Sequence, residues 1–194
     1  MLFRSRGFID SLDFKANDAT LTWRLLTDTP EVAVLTLPAA LLPGDSVAIR
    51  TPFRMKYPSA GISRLGHSGQ AYYTTQWYPK PAVYDRDGWK YLEYVDKGEY
   101  YSEFGSFDVH ITVPENYVVG ATGELIDGEA EKSWLTAKAK ETAAIDSFDA
   151  KNMSFPASAV KTKTLQYRQD RVHDFAFFAD KRWHVAEKDM TLPG

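Results

Sequence analysis

Phe107-Asp108-Val109-His110-Ile111-Thr112-Val113 is the stretch that decides the fold class of this chain. Its apolar and polar residues alternate strictly, so in an extended strand every apolar side chain faces the same core. Similar short runs recur at 21–25, 32–37, 47–49, 117–119, 165–167, 175–178 and 183–185. Turn-forming residues separate them, at 16–18, 43–45, 87–88, 114–116 and 127–128. The pattern predicts a mainly β fold, an antiparallel sandwich or an open, curved sheet.

Residues 134–145 depart from this alternation, because they hold four alanines together with two lysines and a glutamate. These residue types favour helices and have little strand propensity. Two alternatives remain open from the sequence: a single short helix here, or a strand at Trp134-Leu135-Thr136 with the alanines on an edge. No internal repeat, low-complexity tract or linker stands out. The sequence therefore predicts one β-rich domain over residues 1–194.

The composition excludes several classes of function. The chain carries 23 basic and 26 acidic residues and has no basic run, so it lacks the positive patch that nucleic acid requires. It has no cysteine, which excludes disulfides, thiolate metal ligands and cysteine nucleophiles. The first residues are not followed by an apolar stretch of roughly 7–15 residues, so no signal peptide is expected in the chain. No apolar run approaches the roughly 18 residues of a membrane span, so no membrane insertion is expected.

Residues 72–107 are unusually aromatic. Twelve of these 36 residues carry rings: Tyr72, Tyr73, Trp77, Tyr78, Tyr84, Trp89, Tyr91, Tyr94, Tyr100, Tyr101, Phe104 and Phe107. The rings fit either a core and sheet edge built from large side chains or a concave face that receives a ligand or a neighbouring domain, and both can hold at once. Pro79 and Pro81 stiffen an irregular loop inside this stretch.

The sequence holds no visible catalytic machinery. The four histidines, at 67, 110, 173 and 184, form no H-E-x-x-H, and the neighbours His173 and Asp174 would point to opposite faces of a strand. No G-x-S-x-G elbow, P-loop or G-x-G-x-x-G is present. We therefore expect no catalytic residue, metal site or cofactor within this chain.

Six motifs occur in an order that resembles one protein family. They are Ser63-Arg64-Leu65-Gly66-His67, the loop 75–85, Gly88-Trp89, the stretch 98–105, the stretch 118–123 and His173-Asp174-Phe175-Ala176. This order is similar to a bacterial branch of the aminopeptidase-N-like zinc metallopeptidases, the gluzincins. The resemblance covers roughly residues 45–185 and is most specific in the loop 75–85.

The resemblance implies a non-catalytic N-terminal domain. In that family this domain is a saddle-shaped, mostly antiparallel β structure that packs on a thermolysin-like catalytic domain and closes one side of its cleft. The zinc ligands and the G-x-M-E-N loop belong to the following domain, so this chain alone is expected to be inactive, with zinc supplied by the catalytic domain. By resemblance the parent protein is exported. Only about 60 residues precede Ser63, so some first strands of the domain are expected to be missing.

The resemblance also points to three residues that contact the substrate. The family's N-terminal domain sends a Thr-Gln-x-Glu or Ser-Gln-x-Gln loop into the active site, where the last residue binds the peptide's free amino group. Thr75-Gln76-Trp77-Tyr78 matches this loop but ends in tyrosine, which offers one neutral oxygen and a π face. Gln76, Trp77 and Tyr78 are therefore predicted to line the pocket for the peptide N-terminus. The alternative is a stand-alone β-sandwich module that binds carbohydrate or peptide on exposed rings of residues 72–101.

Overall fold

The structure, a computed structural model, describes residues 6–59, 64–91, 101–149 and 151–191. Its elements are, in chain order, β1 (Phe8–Asp10), β2 (Lys15–Ala16), β3 (Ala19–Thr20), β4 (Thr22–Leu25), β5 (Ala33–Thr36), β6 (Ile49–Arg50), β7 (Arg54–Lys56), β8 (Gly66–Ser68), β9 (Ala71–Thr74), β10 (Val83–Asp85), β11 (Gly88–Lys90), β12 (Gly105–Pro114), β13 (Val118–Ala121), β14 (Glu124–Ile126), α1 (Glu129–Ala143), β15 (Thr162–Val172) and β16 (Phe177–Asp180).

The prediction of a mainly β, antiparallel fold is confirmed. Every strand pair formed by the described residues is antiparallel, and the sheets contain two to four strands. Of the two alternatives for residues 134–145, the helix is the one observed: α1 begins at Glu129, five residues earlier, and ends at Ala143. A saddle shape stays a prediction. No helix in the described part of the chain is long and apolar enough to span a membrane.

The chain divides into two compact units. Unit 1 contains Met1–Ser59 and Tyr78–Glu103, and unit 2 contains Ala60–Trp77 and Phe104–Gly194. That the 194 residues act as a single domain stays a prediction.

Unit 1 is built from short strands. They form the pairs β1–β7, β4–β5 and β10–β11 and the three-stranded sheet β3-β2-β6. Phe14, Ala16 and Leu21 are its buried centre, and the ring of Trp23 meets that of Phe14 edge-on at 5.4 Å. Burial of these apolar side chains, rather than long sheet ladders, therefore contributes much of the stability of this unit.

Unit 2 contains two sheets, β12-β15-β14 and β13-β16-β9-β8. Both contribute side chains to one core, which comprises Ile111, Tyr117, Val119, Leu165, Tyr167, Phe175 and Ala179. The alternation predicted for Phe107–Val113 is observed: Ile111 is buried, its apolar neighbours pack against the core, and Asp108, His110 and Thr112 are exposed. Local periodicity thus places this strand's faces correctly.

Helix α1 contacts strand β15 of the same unit through a charged cluster. Lys163 lies on the same face of β15 as the core residues Leu165 and Tyr167, and its Nζ donates to both carboxylate oxygens of buried Glu131 at 2.7 and 2.8 Å. The same ammonium lies 3.7 Å from the centre of the Trp134 ring. Burial lowers the pKa of Lys163, while the hydrogen bond and charge of Glu131 act in the opposite direction. The helix therefore covers a lysine that the strand alternation turns inward.

Candidate functional site

The turn that follows β9 has an unusual backbone. Thr74 ends the strand completely buried, and Gln76, two residues later, has a φ of +49°. A residue with a side chain is strained by roughly 1–2 kcal/mol in this left-handed region. Such a conformation persists only where the surrounding structure holds it, and it is often found at functional sites. The turn therefore has to be fixed by its neighbours.

Trp77 fixes it. Its indole N–H donates a hydrogen bond of 3.1 Å to the backbone carbonyl of Phe175, a residue with no exposed surface. Its ring meets that of Phe177 edge-on at 5.5 Å and packs against the core of unit 2. The indole N–H and part of the Trp77 ring are thereby occupied by contacts within unit 2. Whether Trp77 also contacts a substrate stays a prediction.

Two polar side chains of the turn have no hydrogen-bond partner among the described residues. The hydroxyl oxygen Oγ1 of Thr75 is buried and unpaired. The half-buried amide of Gln76 likewise forms no hydrogen bond with the residues that the structure describes. A buried unpaired hydroxyl costs about 1–3 kcal/mol, and native structures keep such groups rarely. The Gln76 amide thus offers an acceptor oxygen and amide donors on this turn, beside the buried Thr75 hydroxyl.

Sequence reasoning named Gln76 as a candidate residue and did not name Thr75. A threonine at the end of a strand is an ordinary β-branched residue, and nothing in its local sequence shows that its hydroxyl will be left without a partner. The strained backbone of Gln76 was equally invisible, because glutamine carries no preference for positive φ.

Tyr78, the third predicted residue, belongs to unit 1, whereas Gln76 and Trp77 belong to unit 2. Tyr78 is half-buried, and two residues later the Lys80 ammonium donates to the Ser102 hydroxyl at 2.7 Å within unit 1. The division between the units falls between Trp77 and Tyr78 in the sequence. The role of Tyr78 at the substrate N-terminus stays a prediction.

The rings of the aromatic stretch divide between the core and the surface, and reception of a ligand or a neighbouring domain stays a prediction. Tyr72, Trp77 and Phe107 pack against the core of unit 2. Other rings are exposed: Tyr84, Trp89, Tyr91, Tyr101 and Phe104. Tyr84 and Trp89 stand opposite each other on the hairpin β10–β11, with ring centres 4.9 Å apart and planes at 64°. Tyr94 and Tyr100 lie outside the described residues.

The histidines lie in separate surroundings. His67 contacts the Gly69 carbonyl, and His110 lies beside the Asp108 carboxylate. The ring of His173 packs on Phe104, and the ring of His184 packs on Phe148. Across residues 6–59, 64–91, 101–149 and 151–191, no three carboxylates or histidines are grouped as metal ligands would be. Asp174 is engaged locally, because its carboxylate accepts a hydrogen bond from the Phe175 N–H.

Comparison with known proteins identifies no family for this chain. No protein-family model, no curated protein and no solved structure matches the chain. The resemblance to aminopeptidase-N-like peptidases therefore stays a prediction from the sequence motifs.

Proposed function

We propose that this chain is a non-catalytic β domain of an aminopeptidase-type zinc metallopeptidase. In this proposal it closes one side of the active-site cleft of a thermolysin-like catalytic domain and contributes to recognition of the peptide N-terminus. The observation that carries the proposal is the turn 75–77, where Trp77 anchors a strained backbone and the polar groups of Thr75 and Gln76 are left unpaired.

The chemistry of this turn suits an ammonium group. A peptide N-terminus donates up to three hydrogen bonds, and the half-buried Gln76 side chain carries a carbonyl oxygen that can accept one. Hydrogen bonds to charged groups contribute about 1.5–3 kcal/mol each, more than those between neutral groups. A turn already held in one conformation loses little entropy when it binds, which favours recognition by a fixed site.

Catalysis itself is assigned to the partner. Zinc and the residues that activate water would belong to the catalytic domain, as the resemblance implies. The role of this chain is limited to shaping the cleft and holding the end of the peptide.

The test is a peptidase assay with this chain, alone and mixed with a separately expressed catalytic domain of the same family. We expect activity on peptides with a free N-terminus to require the catalytic domain and to rise when this chain is added. Gln76→Gly keeps the left-handed backbone but removes the amide, and it should lower kcat/KM for such peptides by about tenfold, the effect of one hydrogen bond to a charge. N-acetylated peptides should be unaffected by it.

Gln70→Ala is the matched control, because Gln70 is an exposed glutamine of unit 2 outside the turn. It should leave every rate unchanged. Tyr78→Ala tests the third predicted residue separately. Zinc-dependent activity of the chain alone would overturn the proposal, as would equal effects of Gln76→Gly on free and acetylated peptides.

A second candidate function rests on the hairpin β10–β11. Tyr84 and Trp89 are 66% and 62% exposed, which supports a stand-alone module that binds carbohydrate or peptide. A flat platform for sugar rings would need coplanar aromatic faces, whereas these two planes are inclined by 64°. The geometry therefore favours the first proposal over a carbohydrate platform at this pair.

A further inference from the structure

Strand β12 is a long edge strand. Among the described strands it is the outer member of the sheet β12-β15-β14, and its ten residues Gly105–Pro114 lie beside β15. Over Asp108–Val113, no backbone group of the described chain pairs with its other side. A row of unpaired N–H and C=O groups of this length is a template for another strand.

This edge lacks the usual protection against pairing. Edge strands of monomeric proteins are usually short, or carry lysines, prolines, bulges or inward-pointing charges. In β12 the irregularity lies at Gly105/Phe107 and the proline at position 114, so both are at its ends. The six residues between them alternate regularly and include no lysine, no proline and no inward charge.

The sequence of β12 is complementary to itself. In an antiparallel pair with a two-fold axis through Val109, Asp108 of each copy stands opposite His110 of the other. A carboxylate then faces an imidazole N–H donor twice, and cross-strand pairs of this kind stabilise a sheet. Both side chains are accessible, at 43% and 59% exposed. On the opposite face, Val109 meets Val109 and extends the apolar side of the sheet.

We propose that two copies of this chain associate by antiparallel pairing of their β12 strands, with Val109 on the two-fold axis. The position of Asp108 is fixed within its own sheet, because Gln166 and Arg168 of β15 donate hydrogen bonds to its carboxylate at 2.7 and 2.8 Å. The partner is a second copy because the same sequence in reverse places each Asp108 opposite a His110 and Val109 opposite itself. The inference does not depend on the proposed function.

Sedimentation velocity from low to high micromolar concentration tests it. The wild-type chain should pass from 21.9 kDa to twice that mass as the concentration rises. His110→Asp places two carboxylates opposite each other at both contacts and should weaken the dimer about tenfold or more. Asp108→Lys should do the same, while a mixture of the two variants should form a heterodimer, because each new charge then meets its opposite.

Thr164→Asp is the matched control. Thr164 stands opposite Thr112 on the same exposed face, one strand in from the edge, and receives the same charge. It should leave the dimer intact. A wild-type chain that stays monomeric, or equal weakening by His110→Asp and Thr164→Asp, would overturn the proposal. The comparison of His110→Asp with Thr164→Asp tests the proposed dimer even if Asp108→Lys fails to fold. Circular dichroism would reveal such a failure.

Discussion

At the scale of the residue, Gln76 combines a strained backbone with a side chain that forms no hydrogen bond with the described residues. The other described residues with side chains and a positive φ are Ser11, Asn17, Asp18, Asp127 and Arg171. Asn and Asp tolerate this region because their short side chains bond to the local backbone, whereas glutamine has no such compensation. The strain at Gln76 is held by the Trp77 anchor and is consistent with selection for position rather than for stability.

Gln76→Gly should raise the free energy of unfolding by about 0.5–1 kcal/mol. Glycine adopts a positive φ without strain, and this gain exceeds its larger loss of entropy on folding. Urea denaturation followed by tryptophan fluorescence measures the change. Gln70→Gly is the control, because Gln70 has no positive φ and the same substitution should there lower stability. A Gln76→Gly chain less stable than wild type would show that the side chain supports the fold.

At the scale of the element, α1 depends on its contact with β15. Gly128 precedes the helix and provides no side-chain cap, although Glu129 and Glu131 are favourable charges in the first turn. A 15-residue helix is marginal in isolation, so tertiary contacts must stabilise it. The Glu131–Lys163 pair and the Trp134 ring are the contacts that do so.

Lys163→Met should lower the free energy of unfolding by about 2 kcal/mol or more, because it leaves the buried Glu131 carboxylate unpaired. The double variant Glu131→Leu with Lys163→Met should recover most of this loss, since two apolar side chains need no solvation. Urea denaturation of the four chains in a double-mutant cycle measures the coupling. Equal stability of the single and double variants would contradict a buried pair.

At the scale of the whole molecule, two buried tyrosines make stability depend on pH. The Tyr117 hydroxyl donates to the Gln70 carbonyl at 3.1 Å, and the Tyr167 hydroxyl donates to the Val119 carbonyl at 3.3 Å. Burial raises the pKa of both, because a phenolate is poorly solvated in the core. Both contributions are fully present below the unfolded value of 10.0 and are lost as pH rises through the higher folded values.

Above pH 10.0 the free energy of unfolding should therefore fall by about 1.4 kcal/mol per pH unit for each tyrosine, until its folded pKa is reached. Lys163 has a lowered pKa and acts oppositely, because its contribution rises with pH up to 10.5. Comparison with Tyr167→Phe isolates the tyrosine effect: this variant should show a shallower decline. Urea midpoints measured from neutral to alkaline pH test this, and parallel declines would contradict it.

Much of the fold was predictable because it depends on neighbouring residues. The alternation at 107–113 assigns each side chain to a face without knowledge of the partner strand, since successive residues of any strand point to opposite sides. For residues 134–145 the sequence left both a helix and a strand open, because helix propensity alone did not distinguish them. The helix observed at Glu129–Ala143 is stabilised by the contact of Glu131 with Lys163, 32 residues further along the chain.

By itself the sequence determined the β class, the faces of the strands and the loop around Gln76. Only the tertiary structure decided which side chains remain unpaired and which edge remains open. Trp77 binds the carbonyl of Phe175, 98 residues away, next to the strained Gln76 and the unpaired Thr75 hydroxyl. The physical reason is that local preferences act over a few residues, whereas hydrogen-bond satisfaction depends on groups brought together by the whole chain.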